Sequence, residues 1–187
     1  MEFVFVVPII GALYLGGYEL TRLNIAYRKL CDATAQLGII VSQGASPTTP
    51  TTLQTYIGAA AQVMYPQPTS TMTVKLTEIV VDGNGAATVG WSQGWSNGAA
   101  TSEPYVAGAS VSPTSSPALP ASLLNSSMST VNTCAATTAP CYSYLLVQSS
   151  YVYAPAIAGT YLGGPITLTN QVYMPPRNTE TITCNGC

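Results

Sequence analysis

The chain is poor in charge and contains no histidine. Only 6% of its 187 residues are Asp, Glu, Lys or Arg, against about 25% in an ordinary soluble domain. A free cytosolic monomer normally stays dispersed through its charge. Here Ser, Thr, Asn, Gln and Tyr must supply the polar surface, which suits a crowded assembly or a cell exterior. The net charge of −2 leaves no basic footprint for nucleic acid. Without histidine the usual general base and the usual metal ligand are missing. Asp32, Glu78, Asp82, Glu103 and Glu180 are scattered rather than clustered. The GNG and LGG runs lack the strand–loop–helix setting of a phosphate site. These absences argue against an enzyme, and no cofactor or metal is expected.

Cysteine is present five times: Cys31, Cys134, Cys141, Cys184 and Cys187. The last four form two close pairs, CAATTAPC and the terminal CNGC. Paired cysteines in a low-charge, loop-rich domain read as disulfides of an oxidising compartment. A zinc site is the rival, but the two pairs are spaced wrongly for a ribbon and no histidine helps. Bridges Cys134–Cys141 and Cys184–Cys187 are favoured among the three connectivities. Cys31 is expected as a reduced thiol on a buried helix face. A redox role for CNGC lacks the helix N-terminus that lowers a thiol pKa.

What the chain does have is a greasy beginning, MEFVFVVPIIGALYLGG. The run is too short for a secure membrane span, which needs about 20 residues, and no basic region precedes it as in a signal peptide. Helical spacing continues through Leu20, Leu23, Ile25, Ala26, Tyr27, Leu30, Ala33, Leu37, Ile40 and Val41. One helix is therefore expected from the start to about Ser42, roughly 60 Å long at 1.5 Å per residue. Pro8 should bend or loosen it. Gly11, Gly16 and Gly17 would let another helix approach closely, and Glu19 and Arg22 are spaced to pair along one face. A helix this long cannot pack wholly on a domain of this size, so its first half must bury in lipid or among copies of itself. Glu2 then has two readings: a first-turn carboxylate favoured by the helix dipole, or a partner charge for a neighbouring subunit. Arg22, Arg28 and Lys29 follow the run and place its C-terminal side in the cytoplasm, whereas the cysteines place it outside. A basic leader removed from, or missing before, this N-terminus satisfies both.

The segment MEFVFVVPIIGALYLGGYELTRLNIAYRKLCDATAQLGIIV resembles the N-terminus of TadE-like proteins, pilin-like components of tight-adherence type IV pili. Glu2-Phe3, Pro8, the glycine-rich stretch, Glu19 and Arg22 carry the likeness. Downstream, VVDGNGAATVGWSQG is similar to the family's hairpin and SSYVYAPAIAG…GPITLTNQVYMPPR to its closing pair of strands, so the resemblance covers most of the chain. It implies a leader cut by a prepilin peptidase, storage in the inner membrane, and assembly into an extracellular filament. It also implies that Glu2 meets the N-terminal amine of another copy. Glu2 stands nearer the start here than the family's glutamate does. The assembly residues it assigns are Glu2, Phe3, Pro8, Gly11, Gly16, Gly17, Glu19 and Arg22.

After the helix, residues 44–52 form a Pro/Thr linker that ends it. LQTYIGAAAQVMY suits a short second helix capped by Thr51 or Thr52. TMTVKLTEIVVD reads as a strand, DGNG as a turn and AATVGWSQGW as its partner. Ser96 to Thr133 reads as an irregular excursion anchored by Tyr105 and Leu123-Leu124. YSYLLVQSSYVYAP and PITLTNQVYMPP are the best strands. The fold class is α+β and pilin-like, divided into residues 1–43 and 44–187. Tyr142, Tyr144, Tyr151, Tyr153, Tyr161 and Tyr173 are expected mainly as packing residues, with a carbohydrate surface the weaker reading. Two functions compete with the filament subunit: a membrane-tethered adhesion or binding domain that never polymerises and, more remotely, a CNGC redox enzyme.

Overall fold

The computed structural model describes residues 3–44, 46–83, 85–101, 103–124, 140–155 and 164–187, with backbone alone for residues 3–5, 140 and 141. Helix α1 runs Phe3–Gln43. It keeps one apolar stripe in its second half: Ala26, Leu30, Ala33, Leu37 and Val41 are all at most 2% exposed. Their steps of three and four residues put them on a single face. Gly44 and Pro47 follow and terminate the helix. Helix α2 spans Pro50–Ala61 and lays Leu53, Ile57, Ala60 and Ala61 against that stripe. Its cap is Thr49, whose hydroxyl accepts from the Thr52 amide at 3.3 Å, and not Thr51 or Thr52. Proline is favoured at the first helical position, so Pro50 moves the start back by a turn's fraction.

Strands β1 (Met72–Asp82), β2 (Ala87–Ser96), β3 (Ala99–Thr101), β4 (Ser110–Val111), β5 (Pro140–Tyr153) and β6 (Ile166–Met174) form one antiparallel sheet. Its order is β3-β2-β1-β5-β6, with β4 beside β2. The long helix, short helix and antiparallel sheet together are α+β, as expected from sequence. Alternation sorts the side chains. Met72, Val74, Leu76, Leu145, Val147, Tyr151 and Tyr153 face α1 and α2. Ile79, Val81, Val89, Tyr144 and Leu146 build a second cluster on the opposite face. Tyr105, Leu123 and Leu124 pack on that second cluster, so the expected anchors are where the sequence placed them. The excursion is less irregular than expected, because Asn97 and Gly98, with φ of 52° and 80°, turn β2 directly into β3. Tyr144, Tyr151 and Tyr153 are buried, and Tyr142 stacks edge-on against Tyr144 at 5.7 Å. Tyr161 lies outside the described residues.

Two close contacts fix α1 on the sheet. The Thr34 hydroxyl, bonded also to the Leu30 carbonyl, meets the Ser149 hydroxyl from β5. A Cβ at Gly38 would stand 2.7 Å from Met174 Sδ of β6, so glycine admits that side chain against the helix.

The C-terminal segment is pinned by an acid. Glu78 is only 3% exposed, and its Oε1 accepts the Ile182 amide at 2.7 Å. Trp91 Nε1 donates to the Ile182 carbonyl, so both backbone groups of Ile182 are held. The register of β1 on β2 shifts here: Glu78 opposes Trp91 and Ile79 opposes Val89. Gly90 is the extra residue of this bulge. A Cβ on it would come within 2.9 Å of Glu78 Oε2, so the carboxylate occupies the space a side chain would take. Burial pushes the Glu78 carboxyl above the usual carboxylate range, although the Ile182 amide and its other hydrogen-bond donors pull it back. Cys184 and Cys187 are joined by a disulfide, and Cys184 bridges in parallel to Thr48 after α1.

Candidate functional site

The first half of α1 leaves the domain bare. Val7, Ile9, Ile10, Leu13 and Tyr14 are 60–74% exposed. At about 100° per residue these positions cover about 160° of the helix surface, and Leu15, also exposed, widens the arc to about 240°, more than one face of the chain's own sheet could cover. From Val6 to Tyr18 the bare segment is about 20 Å long, at 1.5 Å per residue. Among the described residues no helix is long and apolar enough to cross a membrane. The glycines expected at the assembly surface are open: a Cβ at Gly11, Gly16 or Gly17 meets nothing within 4 Å. Helix α1 continues through Pro8 without a break.

The bare half is rooted at Glu19. This residue is 5% exposed and its carboxylate accepts the Tyr153 hydroxyl at 2.8 Å. Burial, and then the bond to the Glu19 carboxylate, push the Tyr153 hydroxyl up to about 12. The sequence spaces Glu19 to pair with Arg22; the structure adds a partner for Glu19 from β5 and sets the Arg22 guanidinium 5.7 Å from the Tyr18 ring centroid. Spacing along one helix could not reveal a partner 134 residues away. Beside this bond, Gly16, Leu20, Leu23, Pro155 and Ile166 line an apolar cleft of about 310 Å³. Replacing Tyr153 by phenylalanine keeps the packing and removes the donor to a buried carboxylate. The expected loss is about 1–3 kcal/mol of unfolding free energy, measured by chemical denaturation.

The other site expectations fall as follows. Glu2 and Cys134 lie outside the described residues, and Phe3 and Cys141 are described in backbone only. The proposed Cys134–Cys141 bridge is therefore outside the described residues, while Cys184–Cys187 is bonded as expected. Cys31 is a free thiol but half-buried, not on the buried face. It follows Leu30 by one residue, about 100° round the helix from the core stripe, and lies one turn from Tyr27, whose hydroxyl it pushes above the ordinary range. Among the described residues no group of His, Cys, Asp and Glu is arranged to hold a metal ion. Neither a family model, nor a curated protein, nor a solved structure matches the chain.

Proposed function

We propose that this chain is a structural, TadE-like subunit of an extracellular type IV (tight-adherence) pilus or a related filament, polymerising through α1. One observation carries the reading: a single continuous helix whose second half is core and whose first half exposes Val7, Ile9, Ile10, Leu13 and Tyr14. Solvent does not tolerate such a surface without a partner. Copies of the same helix are the partner of matching chemistry, and the open glycines allow backbones to close on one another. In this reading Glu2 of one copy meets the N-terminal amine of the next. Each charge would otherwise be stranded in an apolar interior. Before assembly the bare half rests in the inner membrane, where a prepilin peptidase and the pilus assembly machinery act on it. The protein then has no catalytic role and no nucleic-acid partner.

The test is electron microscopy of the purified chain after detergent removal. Helical filaments built of this chain are expected. Monodisperse particles or lipid-bound monomers under every condition would instead support a tethered binding domain, a reading favoured by the polar concavity described next.

A further inference from the structure

The face of the sheet away from α1 is apolar only at one end. Two neighbouring polar ranks cross three strands at the other. Thr73, Ser150 and Thr169 are register partners on β1, β5 and β6, and so are Lys75, Gln148 and Gln171. These side chains floor an open concavity of about 720 Å³, walled by Tyr105 and Ser116 from the excursion.

The wall is held in place before any ligand arrives. The Tyr105 amide donates to Ser92 Oγ at 3.0 Å, and Ser92 Oγ donates back to the Tyr105 carbonyl at 2.6 Å. The Tyr105 hydroxyl donates to Gln148 Oε1 at 2.8 Å, and Gln148 Nε2 reaches Gln171 Oε1 at 3.5 Å. Lys75 Nζ stands 5.4 Å from the Tyr105 ring centroid.

We infer that this concavity binds an acidic saccharide. Hydroxyl and amide side chains both donate and accept hydrogen bonds, which is what a row of vicinal sugar hydroxyls requires. The ranks are about 4.8 Å apart across strands and about 6.7 Å along them, the scale of one pyranose ring. Around the Tyr105 ring and the Lys75 stem the described lining is all Ser, Thr, Asn and Gln, with no aliphatic residue to favour a lipid tail. Lys75 is the sole charge among the described lining residues and has no carboxylate beside it there. It fits a single anion, such as a sugar carboxylate. A polyphosphate or nucleic acid would need several cations, and the chain carries five in all with a net charge of −2.

The inference does not depend on polymerisation. Its test is calorimetric titration of the full chain, held in a non-glycosidic detergent, with trigalacturonate and with its uncharged methyl ester. Saturable binding of the acid is expected. K75M should weaken it by about tenfold and abolish the preference for acid over ester. Q171A, at an exposed edge-strand position, should weaken acid and ester alike by severalfold. Both variants should melt at the wild-type temperature. No saturable heat up to about 10 mM ligand, equal binding of acid and ester by the wild type, or an unchanged affinity in K75M would overturn the inference.

Discussion

If α1 is the filament interface proposed above, Leu13→Asp will block assembly without touching the fold. Leu13 is 73% exposed on the bare half of α1, so the domain loses nothing when it changes. In an assembly the same side chain is buried. Its removal forfeits about 2 kcal/mol of apolar burial, and a carboxylate in its place adds a desolvation cost of at least that size. With tenfold in equilibrium constant for each 1.4 kcal/mol, the critical concentration should rise by roughly a thousandfold. Sedimentation of polymer against total concentration reads this directly, with the thermal melt of the dissociated chain as control. Polymer at wild-type concentrations would mean that α1 is not the interface, and the filament proposal would fail with it.

Glu78→Ala should cost on the order of 3 kcal/mol in unfolding free energy. The substitution strands the buried amide of Ile182 and leaves a gap against Gly90. Glu78→Gln keeps the Oε1 acceptor and discards the charge, so at neutral pH it should equal or exceed the wild type. The pH dependence separates the two effects. The Glu78 carboxyl titrates above its ordinary value of 4.5 because it is buried. Folded protein therefore holds that proton more tightly than unfolded protein. This group's contribution is fully present below the unfolded pKa and is lost as pH rises through the raised folded pKa. Denaturation curves across that window should show wild type losing stability relative to Glu78→Gln as pH rises, then a constant difference above it. A difference that does not change with pH would mean the carboxyl titrates alike in both states.

Much of this architecture is legible in the chain because its causes are local. The stripe from Leu23 to Val41 repeats at helical spacing, and Met72, Val74 and Leu76 alternate as a half-buried strand must. The Asn97-Gly98 turn was equally local, since Asn-Gly is a strong hairpin signal, yet the surrounding Gly, Ser and Thr residues read as irregular coil. The tether at Glu78 was not legible. It joins positions 104 residues apart, and its space exists only because a bulge presents Gly90. The bond from Tyr153 to Glu19 is hidden for a related reason: an arginine three residues away on the same helix is visible in the sequence, while a tyrosine on a distant strand is not. The polar ranks on the outer face needed the register of three strands before Lys75, Gln148 and Gln171 could be seen as neighbours.

Helix α1 and the polar concavity lie on opposite faces of one sheet. An assembly that gathers α1 helices along its axis therefore turns every concavity toward the surroundings, at a repeat set by the helical lattice. A single shallow polar site binds weakly, because association entropy consumes most of what a few hydrogen bonds return. Arrayed sites meeting a repetitive polysaccharide behave differently. Once one is engaged, the next sees its target at an effective concentration in the millimolar range, and the gain reaches about 10²- to 10⁴-fold without any new contact. Grip would then be a property of filament length, and shearing a fibre into short pieces would release it from a surface that the intact fibre holds.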